Sequence, residues 1–270
     1  MAEYGIRLEI KNNIGIVTID RPGRLNAFNS FMLSELKKIT DELKKNLPRV
    51  IVLTGSGDKA FSAGFDVNPD NPMVSSMYEA VTQNNTSAIH ESVKTLRDSV
   101  DGFVSLPVPI IAAINGIAYG GGAELAVRCD MRVMNESGEI CFSEVKLGLM
   151  PDWGGGATLA HFLGSAKASD LILSARKVAA KEAQALGLIN RISKKNQAFK
   201  DAVKLAGDIS KNGPTAVRSA LEVIRQSRNM TLNESLDLEL KKTVSLVESG
   251  ECVHGISAFL SKKDPVFPNV

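Results

Sequence analysis

Residues 110–114 read Ile-Ile-Ala-Ala-Ile, and the chain then runs through Asn115-Gly116 to three consecutive glycines, Gly120-Gly121-Gly122. Five apolar residues without a polar position are too short for an amphipathic helix and fit a strand buried on both faces. The glycines cannot continue a regular element, so the backbone turns there and can approach other atoms closely. A small-residue helix follows over residues 123–127. A second glycine site stands in Ala60-Phe61-Ser62-Ala63-Gly64-Phe65-Asp66. Both sites put pliable backbone where a strand ends and a helix can begin, and a helix N-terminus favours negative charge. Two N–H groups converging on one point stabilise an oxyanion, and loss of one such donor costs about 3–4 kcal/mol of barrier. Tight turns and close helix packing are the simpler explanation of either glycine site alone. No G-x-G-x-x-G follows a first strand, and Gly55-Ser56-Gly57 lacks a following Lys-Thr/Ser, which argues against dinucleotide and P-loop phosphate cradles.

The surrounding pattern is that of a mixed α/β chain. Residues 6–10 and 14–19 alternate or are β-branched around Asn12-Asn13, which predicts a hairpin. Asn29 or Ser30 can cap a helix with its apolar stripe at Met32, Leu36, Ile39 and Leu43. Residues 50–53 form a buried strand. Residues 68–85 are polar, contain proline and show no clean period, which fits a mobile loop or short helices near a site. Helical spacing returns over 89–103, and 131–134 and 139–142 look like further strands. Beyond about residue 154 almost everything reads as helix. Pro214 fits a first helical turn, and Thr231 can cap a helix over 232–247. The chain therefore divides into an α/β core over residues 1–195 and a helical region over 196–270.

Bulk composition removes several function classes. The chain has 32 basic and 30 acidic residues, for a net charge of +2, which is not the balance of a dedicated nucleic-acid binder. Lys37-Lys38 and Lys44-Lys45 are interleaved with Glu35, Asp41 and Glu42, so they fit a solvated helix face. Cys129, Cys141 and Cys252 are far apart and show neither zinc nor disulfide spacing, so no metal is expected. No apolar run reaches the roughly 20 residues that span a bilayer, and residues 1–11 carry no apolar leader, so a cytoplasmic location is expected.

Three acids accompany the glycines. Glu124 lies one turn inside the glycine helix, Glu144 follows Cys141-Phe142-Ser143, and Asp152 sits in Pro151-Asp152-Trp153-Gly154-Gly155. A carboxyl on an apolar, glycine-lined wall has a raised pKa and passes protons near neutrality; surface charge or helix capping is the alternative for each.

Taken in order, these segments resemble the crotonase (enoyl-CoA hydratase/isomerase) family almost end to end. The resemblance rests on Arg21-Pro22 with Asn26-Ala27-Phe28-Asn29, on residues 60–67, on Ile111 through Ala126 with its NG and GGG turns, on Cys129-Asp130, and on Gly255 through Lys263. It implies an α/β spiral of ββα units with a helical C-terminal trimerisation region, in trimers or hexamers. It implies an acyl-CoA thioester as substrate, with no separate cofactor. The oxyanion donors would be the N–H groups of Phe65 and Gly121. Ala63 and Asp66 would lie by coenzyme A, Arg24 near its phosphates, and Lys262 or Lys263 at the nucleotide of a neighbouring subunit.

Hydratases of the family hold one water between two glutamates, which match Glu124 and Glu144. The resemblance implies that Glu144 supplies the α proton and Glu124 orients or deprotonates the water. Two departures stand out. Ser143 replaces the proline usual before the second glutamate, and Asp152 replaces a glycine. An acid at that second position resembles the family's isomerases, so enoyl-CoA or dienoyl-CoA isomerisation through Asp152 and Glu144 is the alternative. A non-catalytic acyl-CoA-binding protein is disfavoured by retention of both glutamates. A serine hydrolase is disfavoured because Ala60 through Gly64 lacks the first glycine of a nucleophile elbow, and because His90, His161 and His254 suggest no triad order.

Overall fold

A computed structural model describes residues 5–268. The expected absence of an apolar leader falls partly on residues 1–4, which lie outside the described residues. The chain opens with a hairpin of β1 (Ile6–Lys11) and β2 (Ile14–Ile19). Its turn residues Asn12 and Asn13 have φ of 51° and 62°, the left-handed pair that a two-residue hairpin loop needs. Asn29 caps α1 (Ser30–Lys45) by accepting from the Met32 amide, and Ser30 becomes its first helical residue.

Three strand pairs then follow one rule. The first strand of each pair joins a large sheet, and the second crosses to a small one. The pairs are β3 (Val50–Gly55) with β4 (Ala60–Ser62), β5 (Ile110–Ile114) with β6 (Ile117–Tyr119), and β7 (Met131–Asn135) with β8 (Glu139–Cys141). Between the pairs lie α2 (Pro72–Thr82), α3 (Thr86–Val104) and α4 (Gly121–Arg128). The remaining elements are α5 (Gly155–Leu163), α6 (Ser165–Ser174), β9 (Val178–Ala179), α7 (Ala180–Leu186), β10 (Arg191–Ser193), α8 (Ala198–Ser210), α9 (Pro214–Gln226), α10 (Leu232–Glu248) and α11 (Glu251–Leu260). The large sheet has the order β1-β2-β3-β5-β7-β10 and the small one β4-β6-β8-β9. All their pairings are parallel except β1 with β2 and β8 with β9.

Two-residue periodicity divides the large sheet's side chains between two faces. Ile51, Leu53, Ile110, Ala112 and Ile114 join the main core with α1 and α3. Val50, Val52, Ile111, Ala113 and Val133 face the other way, onto Ala202, Leu205 and Ala206 of α8. Burial on both faces explains why β3 and β5 are apolar throughout. The first helix after residue 195 is thus packed on the sheet. Asparagine side chains hold the corners where strands cross between sheets. Asn115 Nδ2 donates to Gly57 O at 2.8 Å, Asn26 Nδ2 to Ala60 O at 2.8 Å, and Asn135 Nδ2 to Asn115 O at 2.6 Å.

One expectation needs correction, and of the mobile loop or short helices expected over residues 68–85 a short helix forms. The region beyond residue 154 is not purely helical, because β9 and β10 add edge strands to the two sheets. Each is only two or three residues long, too short to show a strand period. Residues 72–82 form a regular helix, in which Asn71 accepts from Met73 N and Pro72 takes the first position. No helix among the described residues is long and apolar enough to cross a membrane.

Candidate active site

Gly64 and Gly121 bring the two glycine sites together. A Cβ on Gly64 would lie 2.8 Å from Gly121 N and 2.9 Å from Tyr119 O, and the residue has φ of +91°. Both facts restrict this position to glycine. The next residue, Phe65, forms an isolated parallel bridge with Phe28. Phe28 N donates to Gly64 O at 2.7 Å and Asp66 N donates to Phe28 O at 2.8 Å. In a parallel bridge the flanking groups make the bonds, so the N–H of Phe65 itself points away from Phe28. It has no acceptor among the described residues. Gly121 is the first residue of α4, where amides have no partner within the helix. Phe65 and Gly121 line the same cavity of about 600 Å³, together with Glu144, Asp152 and Trp153.

The strand that carries Phe65 is tied down from both sides. Arg21 Nη1 donates to Asp66 Oδ2 at 2.5 Å and to Ala27 O at 3.1 Å. Asn68 Nδ2 donates to Asp66 Oδ1 at 2.8 Å. Burial works against the Asp66 charge, but Asn68 and Arg21 outweigh it and hold the carboxyl below its usual range. Asp66 was an expected coenzyme contact. Its carboxylate is instead buried and already engaged within the loop, where it sets the course of the backbone beside Phe65. Arg21 has the complementary role, and the sequence marked it only as half of an Arg-Pro pair.

Glu124 and Glu144 form the titratable centre. Glu124 is 0% exposed. Its Oε2 accepts from Gly155 N at 2.8 Å and its Oε1 from Asp152 N at 3.2 Å. Burial first, and then the charge of Glu144, push Glu124 up to about 8. Burial likewise raises Glu144, and its own backbone amide and Glu124 offset part of that rise. Two interacting buried carboxyls hold one proton between them through neutrality, so the titration belongs to the pair. The Gly155 amide aimed at Glu124 offsets part of its rise. Asp152 lines the cavity beside Glu144 and is also raised by burial, against its own backbone amide and Arg97.

The loop bearing Asp152 is fixed from behind. Arg128, at the end of α4, donates to Trp153 O at 2.8 Å and pairs with Asp101, which Arg97 also holds at 2.8 Å. Trp153 is buried, packs edge-on against Phe28 with centroids 5.4 Å apart, and lies against Gly121. A Cβ on Gly121 would meet Trp153 Cδ2 at 2.9 Å. The donor residue, the second glycine site and the acid loop therefore share one packed unit. The Arg97–Asp101–Arg128 cluster escaped the sequence analysis because Arg128 of α4 joins the Arg97–Asp101 pair of α3 only in the folded chain.

Of the other expected residues, Ala63 lines the cavity beside Phe65. Arg24 is exposed and paired with Asp70 at 3.3 Å. Lys262 and Lys263 follow α11, are exposed, and do not line the cavity of their own chain. Part of the apolar wall comes from α2, through Val74, Met77, Tyr78 and Val81. Their i, i+3, i+4, i+7 spacing was present in the sequence as a helical signal. Among the described residues no cluster of three or more His, Cys, Asp or Glu could hold a metal ion.

The enoyl-CoA hydratase/isomerase family model matches residues 9–269. The short-chain-enoyl-CoA hydratase of Clostridium acetobutylicum is 30% identical over 257 residues, covering 95% of this chain and 94% of the relative. The mitochondrial methylglutaconyl-CoA hydratase of Mus musculus is 33% identical over 270 residues, covering 97% and 82%. The crystal structure of an enoyl-CoA hydratase from Bacillus anthracis superposes with a TM-score of 0.87 at 30% identity, covering 97% of this chain and 98% of that one. By sequence along its whole length and by fold, the chain belongs to the enoyl-CoA hydratase/isomerase family, the crotonase superfamily.

Proposed function

We propose that the protein is an enoyl-CoA hydratase that adds water across the α,β double bond of an acyl-CoA thioester. The observation that carries this is one cavity lined by Phe65, Gly121 and Glu144, with the buried carboxyl of Glu124 beneath it and interacting with Glu144. The thioester oxygen accepts from Phe65 N–H and Gly121 N–H, where enolate charge gathers as water attacks the β carbon. When the pair's proton sits on Glu144, Glu124, oriented by the amides of Asp152 and Gly155, takes a proton from the water. Glu144 delivers its proton to the α carbon, and the proton gained by Glu124 restores the pair. Acyl-CoA is the substrate in this reading, and no further cofactor takes part.

Ala63 contacts the coenzyme at the cavity edge, Arg24 lies towards its phosphates, and Lys262 or Lys263 serves the nucleotide of a neighbouring subunit. The last role requires an oligomer. Leu232, Leu236, Leu240 and Val247 make an exposed apolar stripe on α10, with Leu240 65% exposed in the single chain. Such a stripe needs a partner surface, which supports assembly into trimers or hexamers through the C-terminal helices. A cytoplasmic location completes the reading.

Isomerisation is a second reading with its own support, because Asp152 and Glu144 both line the cavity whereas Glu124 lies beneath it. Incubation with crotonyl-CoA, a 3-enoyl-CoA and a dienoyl-CoA in D2O, followed by NMR, separates the two. Hydration gives a 3-hydroxyacyl-CoA with one deuterium on the α carbon. Migration of the double bond without addition of water contradicts the hydratase reading.

A further inference from the structure

The wall of the cavity carries information about the acyl group beyond the chemistry at its floor. α2 contributes Val74, Met77 and Val81 to it, and residues 147–150 contribute Leu147, Leu149 and Met150. The charged groups that line it, Glu144 and Asp152, are both acids, and among the described residues no Lys, Arg or His lines it. Arg97, whose charge acts on Asp152, is already held by Asp101 at 2.8 Å and 3.0 Å. A substrate carrying its own carboxylate would enter apolar surroundings without a counter-charge and face two further carboxyls.

Size points the same way. A methylene occupies about as much space as a water, roughly 30 Å³, so a four-carbon acyl group takes about 120 Å³ and an eight-carbon group about 240 Å³. The cavity of about 600 Å³ holds the longer chain together with the thioester end of the coenzyme. A four-carbon group would leave much of the apolar wall in contact with water.

We propose that the acyl group this site selects is an uncharged, apolar chain longer than four carbons. A short or dicarboxylic acyl group fits it less well. This rests on the acyl-CoA reading given above. The apolar stripe of α2 and residues 147–150 select the chain, and the two acids reject a second carboxylate.

Binding of saturated, unreactive thioesters tests this independently of turnover. Calorimetry with the full-length protein compares butyryl-CoA, octanoyl-CoA and glutaryl-CoA. Each buried methylene strengthens binding roughly fourfold. The expected result is octanoyl-CoA at least tenfold tighter than butyryl-CoA, with glutaryl-CoA no tighter than butyryl-CoA. Equal affinity for the four- and eight-carbon thioesters, or tighter binding of glutaryl-CoA than of butyryl-CoA, overturns the inference. Val81→Lys, at an exposed α2 position, places a cation on the wall without disturbing the core. It should raise glutaryl-CoA affinity relative to octanoyl-CoA by at least tenfold, and an unchanged ratio counts against α2 as the selecting wall. Tight octanoyl-CoA binding without hydration of crotonyl-CoA or 2-octenoyl-CoA overturns the hydratase reading alone. Failure to bind any of the three overturns both.

Discussion

Arg21 and Asp66 meet at 2.5 Å, although 45 residues separate them in the chain, and their contact lies one residue from the amide proposed to receive the thioester oxygen. Arg21 also holds the Ala27 carbonyl, so a single guanidinium joins residues 26–28 to the loop they pair with. A pair placed this way acts on geometry and need not touch substrate.

Replacing Asp66 with Ala leaves the half-buried Arg21 without its counter-charge and frees the backbone beside Phe65. The expected cost is about 3 kcal/mol of stability, read from denaturant unfolding, with a fall in kcat at temperatures where the variant is still folded. The sign with pH follows from the lowered Asp66 pKa. Its stabilising share is present above the ordinary value of 3.8 and is lost as pH falls through the lower folded value. Unchanged stability and kcat in Asp66→Ala would remove the positioning role.

Glu144→Gln should lower crotonyl-CoA hydration by about 10²–10⁴-fold, the usual worth of a placed general acid. The fold should remain. Both Glu124 and Glu144 have folded pKa values raised above the ordinary 4.5. Their stabilising share is therefore complete below 4.5 and declines as pH rises towards about 8. Glu144→Gln should flatten that decline, which thermal melts across this pH range will show.

The same pair sets the alkaline limb of activity. Hydration needs one proton on the pair, so kcat should fall as pH rises through about 8. Asp152 contributes to raising Glu124 by its charge. Asp152→Asn should therefore move the limb to lower pH while leaving hydration near neutrality little changed. If Asp152→Asn abolishes turnover and Glu144→Gln does not, the isomerase reading replaces the hydratase one.

Gly64→Ala combines a left-handed φ of +91° with a contact of 2.8 Å to Gly121 N. The two glycine sites must separate to accept it. The loss of one oxyanion donor corresponds to about 10²–10³ in kcat. Retained thermal stability with lost kcat would mark the effect as local to the donors.

Leu240→Glu on α10 should lower the mass seen by light scattering to that of a smaller assembly, because it puts a charge into an apolar stripe that is open in the single chain. An unchanged mass would place the subunit contact elsewhere.

Much of this architecture was legible from local pattern. Asn12-Asn13 gave the hairpin, and the continuous apolar runs of β3 and β5 gave strands covered on both faces. Thr231 gave the start of α10, with Glu234 completing a reciprocal cap. The two glycine sites were legible because steric demand at Gly64 and Gly121 admits so few residues. Long-range partnerships were not. Nothing near Asp66 announces Arg21, and nothing near Trp153 announces Arg128, since such pairs are made by the crossing of strands between sheets. The strands β9 and β10 were hidden for another reason, being too short for their alternation to repeat.

A crystal structure of the protein with octanoyl-CoA bound addresses the two amides directly. The account predicts the thioester oxygen within about 3 Å of both Phe65 N and Gly121 N, with the acyl chain along α2. A thioester oxygen turned to any other group, with either amide left facing empty space, would contradict it.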